Sequence, residues 1–433
     1  MHPTRLFIGI LILGGCLTGP TTAALPGAPA TRVRLDNGLQ VLLQPHPLTP
    51  AVVVQMWYGA GSANEALEER GLSHLLEHTL AATDSAVNGD HQAVTTPHYT
   101  GYLHRLAPTD LPAVLNLEAQ RLQRTPSISA PDLKRLWTTM EATGHLPKRA
   151  SAPSPWPGMH ARLIEELFPE RPAHGPLGGT PDRYRQLSPE DLQAWHRRWY
   201  RPENAVLSIA GNIDLAVVLA QVEAAFAGKA ALADPTDTPA SPTLVHAAHA
   251  PGPVRRTPPG HGLWAGFRVP GFASRQGLAD ALHLQALVQW LRALDLSSLS
   301  PAAPLHLVVR YDPWSSDETL LLFGVEAQVP FELAPVRSAL EDVLDQLAEA
   351  PLPQAAVVQV RQRLLAATLY QRSDLESLAK EGAIAHLSGA GEDALERRWS
   401  LLLGLSGPRL QSTAARWLKR SSAVWVSSGH LQP

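Results

Sequence analysis

Two histidines four residues apart, with a glutamate directly before the second, stand in the stretch GLSHLLEHTL at 71–80: His74, Glu77 and His78. On a helix, positions i and i+4 share a face, so both imidazoles can offer a ring nitrogen to one metal ion. Glu77 lies beside them and can hold a water at that metal without being a ligand itself. Zinc lowers the pKa of such a water to about 7, so a neighbouring carboxylate can take its proton at neutral pH. The alternative, on these five letters alone, is an ordinary amphipathic helix with one packed and one solvated histidine. With 18 His in 433 residues, chance supplies the pattern in only roughly 0.03–0.04 such chains, which favours the metal.

The elements that must position these residues can be read around them. TRVRLDNGLQVLLQPH alternates about an Asn37-Gly38 turn and predicts a β-hairpin, and AVVVQMWYGAGS continues as a strand. Helical periodicity follows over 71–82, 110–124 and 131–142. SPEDLQAWHRRWY opens on a Ser188 cap with Asp191 three residues on, then leads into the buried strand of RPENAVLSIAGNID. Its aromatic cluster (Trp195, His196, Trp199, Tyr200) reads as a helix packing onto a sheet. Residues 229–257 are Ala-, Pro-, Thr- and His-rich with little periodicity, and read as a linker. Beyond them the order recurs: strand GLWAGFRVPG, helix RQGLADALHLQALVQWLRAL, strands at 305–311 and 318–327, two helices, and the closing strand of SSAVWVSSGH. The fold class expected is α+β, with two similar α/β-sandwich-like domains at 32–228 and 258–433.

Composition is that of a globular chain, 45% hydrophobic and 17% charged, and a net charge of -3 gives no electrostatic case for nucleic acid. The start, MHPTRLFIGILILGGC, has a basic Arg5 and then an apolar run from Leu6 to Leu13. That run is too short to span a bilayer and fits an export signal. The single cysteine, Cys16, follows Leu13-Gly14-Gly15, which resembles the lipobox of bacterial lipoproteins. The expectation is a signal peptide at 1–24, a tether at 25–31, lipidation of Cys16, and a periplasmic location with an outer-membrane anchor. Ordinary cleavage after the TTAA at 21–24, giving a soluble periplasmic protein, is the alternative. One cysteine can form no internal disulfide.

The order H-x-x-E-H reverses the commoner H-E-x-x-H, and both are signatures of zinc peptidases. GLSHLLEHTL resembles the G-x-x-H-x-x-E-H helix of the insulinase, pitrilysin and mitochondrial processing peptidase family, in its bacterial short-chain type. QAVTTPHYTGYL at 92–103 is similar to that family's NAYTSRDHTVYY. PAHGPLGGTPDRYRQLSPEDLQAWHRRWYRPENAVLSIAGNID is similar to the segment that ends the family's first domain. The resemblance covers residues 32 to about 228 closely, and the second half by element order. It implies a zinc metalloendopeptidase acting on unfolded peptides, with Zn2+ held by His74, His78 and a later glutamate, and with Glu77 as general base. Counted from QAVTT, Glu141 stands within one residue of the third ligand's place, at the edge of the stripe Leu133, Leu136, Trp137 and Met140; Glu118 is the competitor. His91, His98 and His104 read as loop or strand-face residues. Residues Gln92, Ala93, Val94 and Thr95 would form the edge strand that pairs with an extended substrate.

The sequence departs from the family's pattern in several places. Lys134 stands seven positions before Glu141, where a second Glu is frequent, and Gln92 replaces an Asn. A short polar loop at 83–91 takes the place of a helix. In the second half, Pro301 and Leu305 stand where the family has an Arg and a Tyr that reach the substrate carbonyl. Arg310 and Tyr311 are adjacent on a strand, point to opposite faces, and make poor substitutes. A chain of this length supplies half of a clamshell. The implied partner is therefore a same-fold subunit bearing the Arg/Tyr pair, in a heterodimer or a homodimer, with the isolated chain weak or inactive. The reading from another class is a non-catalytic scaffold or peptide-binding subunit. A solute-binding lipoprotein would explain Cys16 but not the histidines.

Overall fold

The structure, a computed structural model, describes residues 30–47, 49–82, 84–143, 156–169, 181–227, 255–257, 261–274, 277–296, 299–300, 304–314, 318–391 and 393–428. The expected signal peptide, the Leu13–Cys16 lipobox, most of the tether and residues 229–254 of the expected linker lie outside them.

The first half carries β1 (Thr31–Arg34), β2 (Gln40–Pro45), β3 (Val52–Tyr58), α1 (Leu72–Ala81), β4 (Asp90–Thr95), β5 (Thr100–Leu106), α2 (Leu111–Gln123) and α3 (Ala130–Thr143). It continues through α4 (Trp156–Leu167), α5 (Pro181–Tyr184), α6 (Pro189–Trp199), β6 (Ala205–Gly211) and α7 (Leu215–Phe226). The second half has β7 (Arg255–Thr257), β8 (His261–Pro270), α8 (Leu278–Leu291), β9 (His306–Tyr311) and β10 (Glu318–Ala327). After these come α9 (Leu333–Glu349), α10 (Gln354–Ser373), α11 (Leu375–Leu387), α12 (Ala394–Leu403), α13 (Gly407–Trp417) and β11 (Val424–Ser428).

The expected hairpin forms, with Thr31 opposite Leu43 and Gly38 at a φ of 93° in the turn. On α6, Ser188 and Asp191 close a reciprocal capping box. Two expectations need correction. Five helices, not two, separate β10 from β11, because Pro353, Asp374, Gly391 and Gly404 cut the long periodic stretch into separate rods. The last three residues of the span read as linker form β7, which pairs in parallel with β11.

The first sheet has the order β1-β2-β6-β3-β5-β4 and the second β7-β11-β8-β10-β9. With β1 set aside, the two orders are one permutation. In each sheet a single pairing is parallel, β2 with β6 and β7 with β11. Each sheet has one face on helices of its own half. The other face is covered in exchange. Ala383 and Ile384 of α11 pack on Leu42, Trp57 and Val206 of the first sheet, and Met159, Leu163 and Leu167 of α4 pack on Trp264, Leu322 and Val426 of the second. Strand β4 is left at an edge of the first sheet, beside α1.

Candidate metal centre

Helix α1 begins without a local side-chain cap. Gly71 takes a left-handed φ of 94°, and the carboxylate of the buried Glu65 reaches the first turn from outside. It accepts from the Gly71 and Ser73 amides at 2.8 Å each and from the Ser73 hydroxyl, satisfying amides that a helix start leaves orphaned. Burial pushes the Glu65 carboxyl up to about 7, against those three hydrogen bonds. Leu72, Leu75, Leu76 and Leu80 then seat one face of α1 in the first core.

That seating turns His74 and His78 together at the half-buried margin, with Nε2 to Nε2 at 3.2 Å and ring centroids 4.8 Å apart. Zinc–nitrogen bonds of 2.0–2.1 Å at a tetrahedral angle place two ring nitrogens about 3.3–3.4 Å apart. The two imidazoles therefore stand at the separation a shared zinc requires. Glu77 completes the group, with donor atoms of all three residues within 4.8 Å of one another, the one such metal-competent cluster among the described residues. Glu77 is 5% exposed, and its Oε2 accepts from the Thr95 hydroxyl at 3.0 Å. Burial pushes its carboxyl up to about 7, with the Thr95 hydrogen bond opposing.

Thr95 thus does more than the backbone pairing read from the sequence. On β4, Ala93 packs towards the α1 side while Val94 packs on the other face with Trp57 and Tyr99; Gln92 is exposed.

Glu141 is not brought into the cluster. Its side chain is 41% exposed rather than buried, and its Oε2 lies 3.9 Å from Nη2 of Arg185. Leu133 and Met140 anchor α3 in the core, and the next position along the helix turns away from that face. Glu118 is not brought into the cluster either. It is fully buried and bonded to Arg121 and, at 2.7 Å, to His104, with Asp84 on the far side of the same guanidinium. His104 is therefore structural. The segment read as a polar loop at 83–91 in fact buries Asp84.

Residues 40–142 match the family model "Insulinase (Peptidase family M16)", and residues 186–364 match "Peptidase M16 inactive domain". The chain belongs to the insulinase family. It is 29% identical over 224 residues to an uncharacterized zinc protease of Streptomyces coelicolor, covering 49% of this chain and 48% of that one. It is equally 29% identical, over 228 residues, to the mitochondrial-processing peptidase subunit beta of Blastocladiella emersonii, with 48% of each covered. The aligned region thus spans about half the length of these curated relatives. A protease from Helicobacter pylori shares the fold with a TM-score of 0.80 at 18% identity, over 93% of this chain and 99% of that one. The periplasmic protease PqqL from Escherichia coli does so at 0.68 and 18%, over 94% of this chain but 48% of PqqL.

The second half of this insulinase-family chain bears on the expected Arg/Tyr pair. Pro301 lies outside the described residues. Leu305 packs against the second core. Arg310 is exposed on the edge strand β9, and the Tyr311 hydroxyl donates to the Pro270 carbonyl at 2.6 Å, which commits the phenol to the fold.

Proposed function

We propose that the chain is the metal-bearing subunit of a zinc metalloendopeptidase, completed by a partner of the same fold. The observation that carries this is the 3.2 Å approach of the His74 and His78 Nε2 atoms beside a buried carboxylate. His74 and His78 hold the metal in this reading, and Glu141, on the helix packed beside α1, becomes the third ligand by swinging from its place near Arg185 towards the two imidazoles. Bound there, zinc polarises a peptide carbonyl and acidifies a water. Glu77 accepts and returns a proton at its carboxylate, whose buried setting favours the protonated form, and Thr95 fixes which oxygen is free to do so. The edge of β4 at Gln92–Thr95 adds an extended peptide as a further strand, which requires an unfolded substrate and lays it alongside α1.

A same-fold partner, in a heterodimer or a homodimer, brings the Arg/Tyr pair that position 305 does not supply and Tyr311 cannot. PqqL, of which this chain covers 48%, supports a pairing of two such units. The apolar run before Cys16 supports export and a lipid anchor on that residue.

A second reading, a non-catalytic peptide-binding subunit, is favoured by the turn of Glu141 towards Arg185. Elemental analysis of the purified chain beside His78→Ala, with unfolded-peptide cleavage measured with and without a same-fold partner, separates the two. The expected result is one zinc per chain, lost in the variant, and cleavage that rises on adding the partner. Absence of stoichiometric zinc after its addition would leave the non-catalytic subunit.

A further inference from the structure

Tyr184, which carries no motif and closes the short α5, is fully buried among the first core's side chains. A buried phenol needs a hydrogen-bond partner, since an unsatisfied hydroxyl is costly. The partner here lies 110 residues away: the Tyr184 hydroxyl meets Nδ1 of His74 at 3.3 Å. His74 therefore shows its two nitrogens to two different groups, Nε2 to His78 and Nδ1 to the phenol.

The direction of that hydrogen bond is not arbitrary. A neutral imidazole carries one proton. With the proton on Nε2, Tyr184 donates to Nδ1 and Nε2 has no lone pair for a metal. With the proton on Nδ1, the phenol oxygen accepts it and Nε2 is free to ligate. A protein partner at the outer nitrogen is how metal-bound histidines are commonly held in one tautomer and one ring orientation. The segment around Tyr184 is itself pinned. Arg183 donates to the Glu68 carbonyl and, at 2.6 Å, to Gln186, and Arg185 pairs with Asp182 at 2.6 Å.

We infer that Tyr184 is a positioning residue of the metal centre, accepting the Nδ1 proton of His74 so that Nε2 faces the ion. This rests on the metal reading above, and the test separates the two. Zinc affinity of the full chain is measured by competition with a chromophoric chelator for wild type, Tyr184→Phe and His78→Ala, beside thermal unfolding of the metal-free proteins. Phenylalanine keeps the ring and removes only the oxygen. Tyr184→Phe should still bind one zinc, with affinity about 10–100-fold weaker.

An affinity within about threefold of wild type, where losing the hydrogen-bond partner of a ligating histidine costs at least about tenfold, overturns the inference while zinc loss in His78→Ala keeps the metal site. A lowered metal-free melting temperature with unchanged affinity marks a purely structural tyrosine and overturns it equally. A wild type that takes up no zinc removes the site and the role together. Should Tyr184→Phe not fold, zinc-loaded wild type with 15N-labelled histidine decides by NMR. A slowly exchanging Nδ1 proton of His74 with a nuclear Overhauser contact to the Tyr184 ring upholds the role, and an Nδ1 that is unprotonated or whose proton exchanges freely with water overturns it.

Discussion

Replacing Arg121 by methionine should cost the metal-free chain about 3–5 kcal/mol, the range for removing one partner of a buried ion pair. The structure puts the guanidinium between Asp84 and Glu118, with side-chain exposures of 1% for Arg121, 1% for Asp84 and 0% for Glu118. It also lies over the Tyr102 ring at 3.9 Å. Burial alone would raise the Glu118 carboxyl; Arg121 and His104 outweigh it and hold it below the usual range. Burial also raises the Asp84 carboxyl, and Arg121 only partly offsets it. Methionine keeps most of the apolar stem and removes the charge, so two carboxylates stay buried without their cation. Both would then bind protons more tightly folded than unfolded. The variant's stability should therefore fall as pH rises from the unfolded carboxyl range near 4, and the deficit against wild type should widen with pH. Urea unfolding at pH 5 and pH 8 with a chelator present measures this. The thermal equivalent at pH 8 is a drop of about 6–20 °C for a unit of this size. A cost below about 1 kcal/mol, or one that grows on acidification, would refute a desolvated pair, which loses its penalty as its carboxyls protonate.

Glu77→Gln should retain zinc and lower kcat of the assembled peptidase about 10²–10⁴-fold, the usual contribution of a general base; unchanged turnover removes Glu77 from the chemistry. Thr95→Val keeps the shape and deletes the donor to Glu77, so kcat should fall by up to about 150-fold, one hydrogen bond to a charged group, with zinc affinity unaltered. A chain cut after residue 227 should melt without cooperativity and bind zinc weakly. A sharp melt at full-length affinity would show that the exchanged helix α11 is dispensable.

Local signals were legible where one element held the whole message. The hairpin about Asn37-Gly38, the Ser188–Asp191 box and the two-histidine face of α1 each close within a few residues, so periodicity and turn chemistry sufficed. The misses share a physical cause, which is that the partner is remote. Nothing near position 84 shows that Asp84 is buried, because its partner Arg121 lies 37 residues on. Tyr184 gives no signal because a four-residue helix has no periodicity to read. At Glu141 the apolar stripe is plain in the sequence, but which groups its carboxylate meets, Arg185 among them, is set by contacts between elements. Glu65 gives no capping signal, because it stands six to eight positions ahead of the amides it serves, outside the usual capping spacing.

The exchange of α4 and α11 explains why the half that carries the His74, Glu77 and His78 cluster is tied to a half with no such cluster among its described residues. A six-stranded sheet has two faces, and α1, α2, α6 and α7 cover only one. The other presents Leu42, Val53, Trp57, Val206 and Ala210, all at 0% exposure in the whole chain. Uncovered, they would form an apolar patch of the kind that drives association. Leu375, Leu378, Ala379, Ala383 and Ile384 of α11 close it. The helix can come so near because Gly382 faces Leu42, where even a Cβ would approach to 3.1 Å. The seam carries hydrogen bonds as well. Trp57 Nε1 donates to Gln55 Oε1 at 2.9 Å, and Gln55 Nε2 donates to the Glu376 carbonyl at 2.9 Å. Gln55 and Trp57 lie on β3, the strand from which the chain passes to Glu65 and α1. Loosening the seam therefore loosens the strand that sets the histidine helix, so the half without such a cluster among its described residues still governs the geometry of the half that has one.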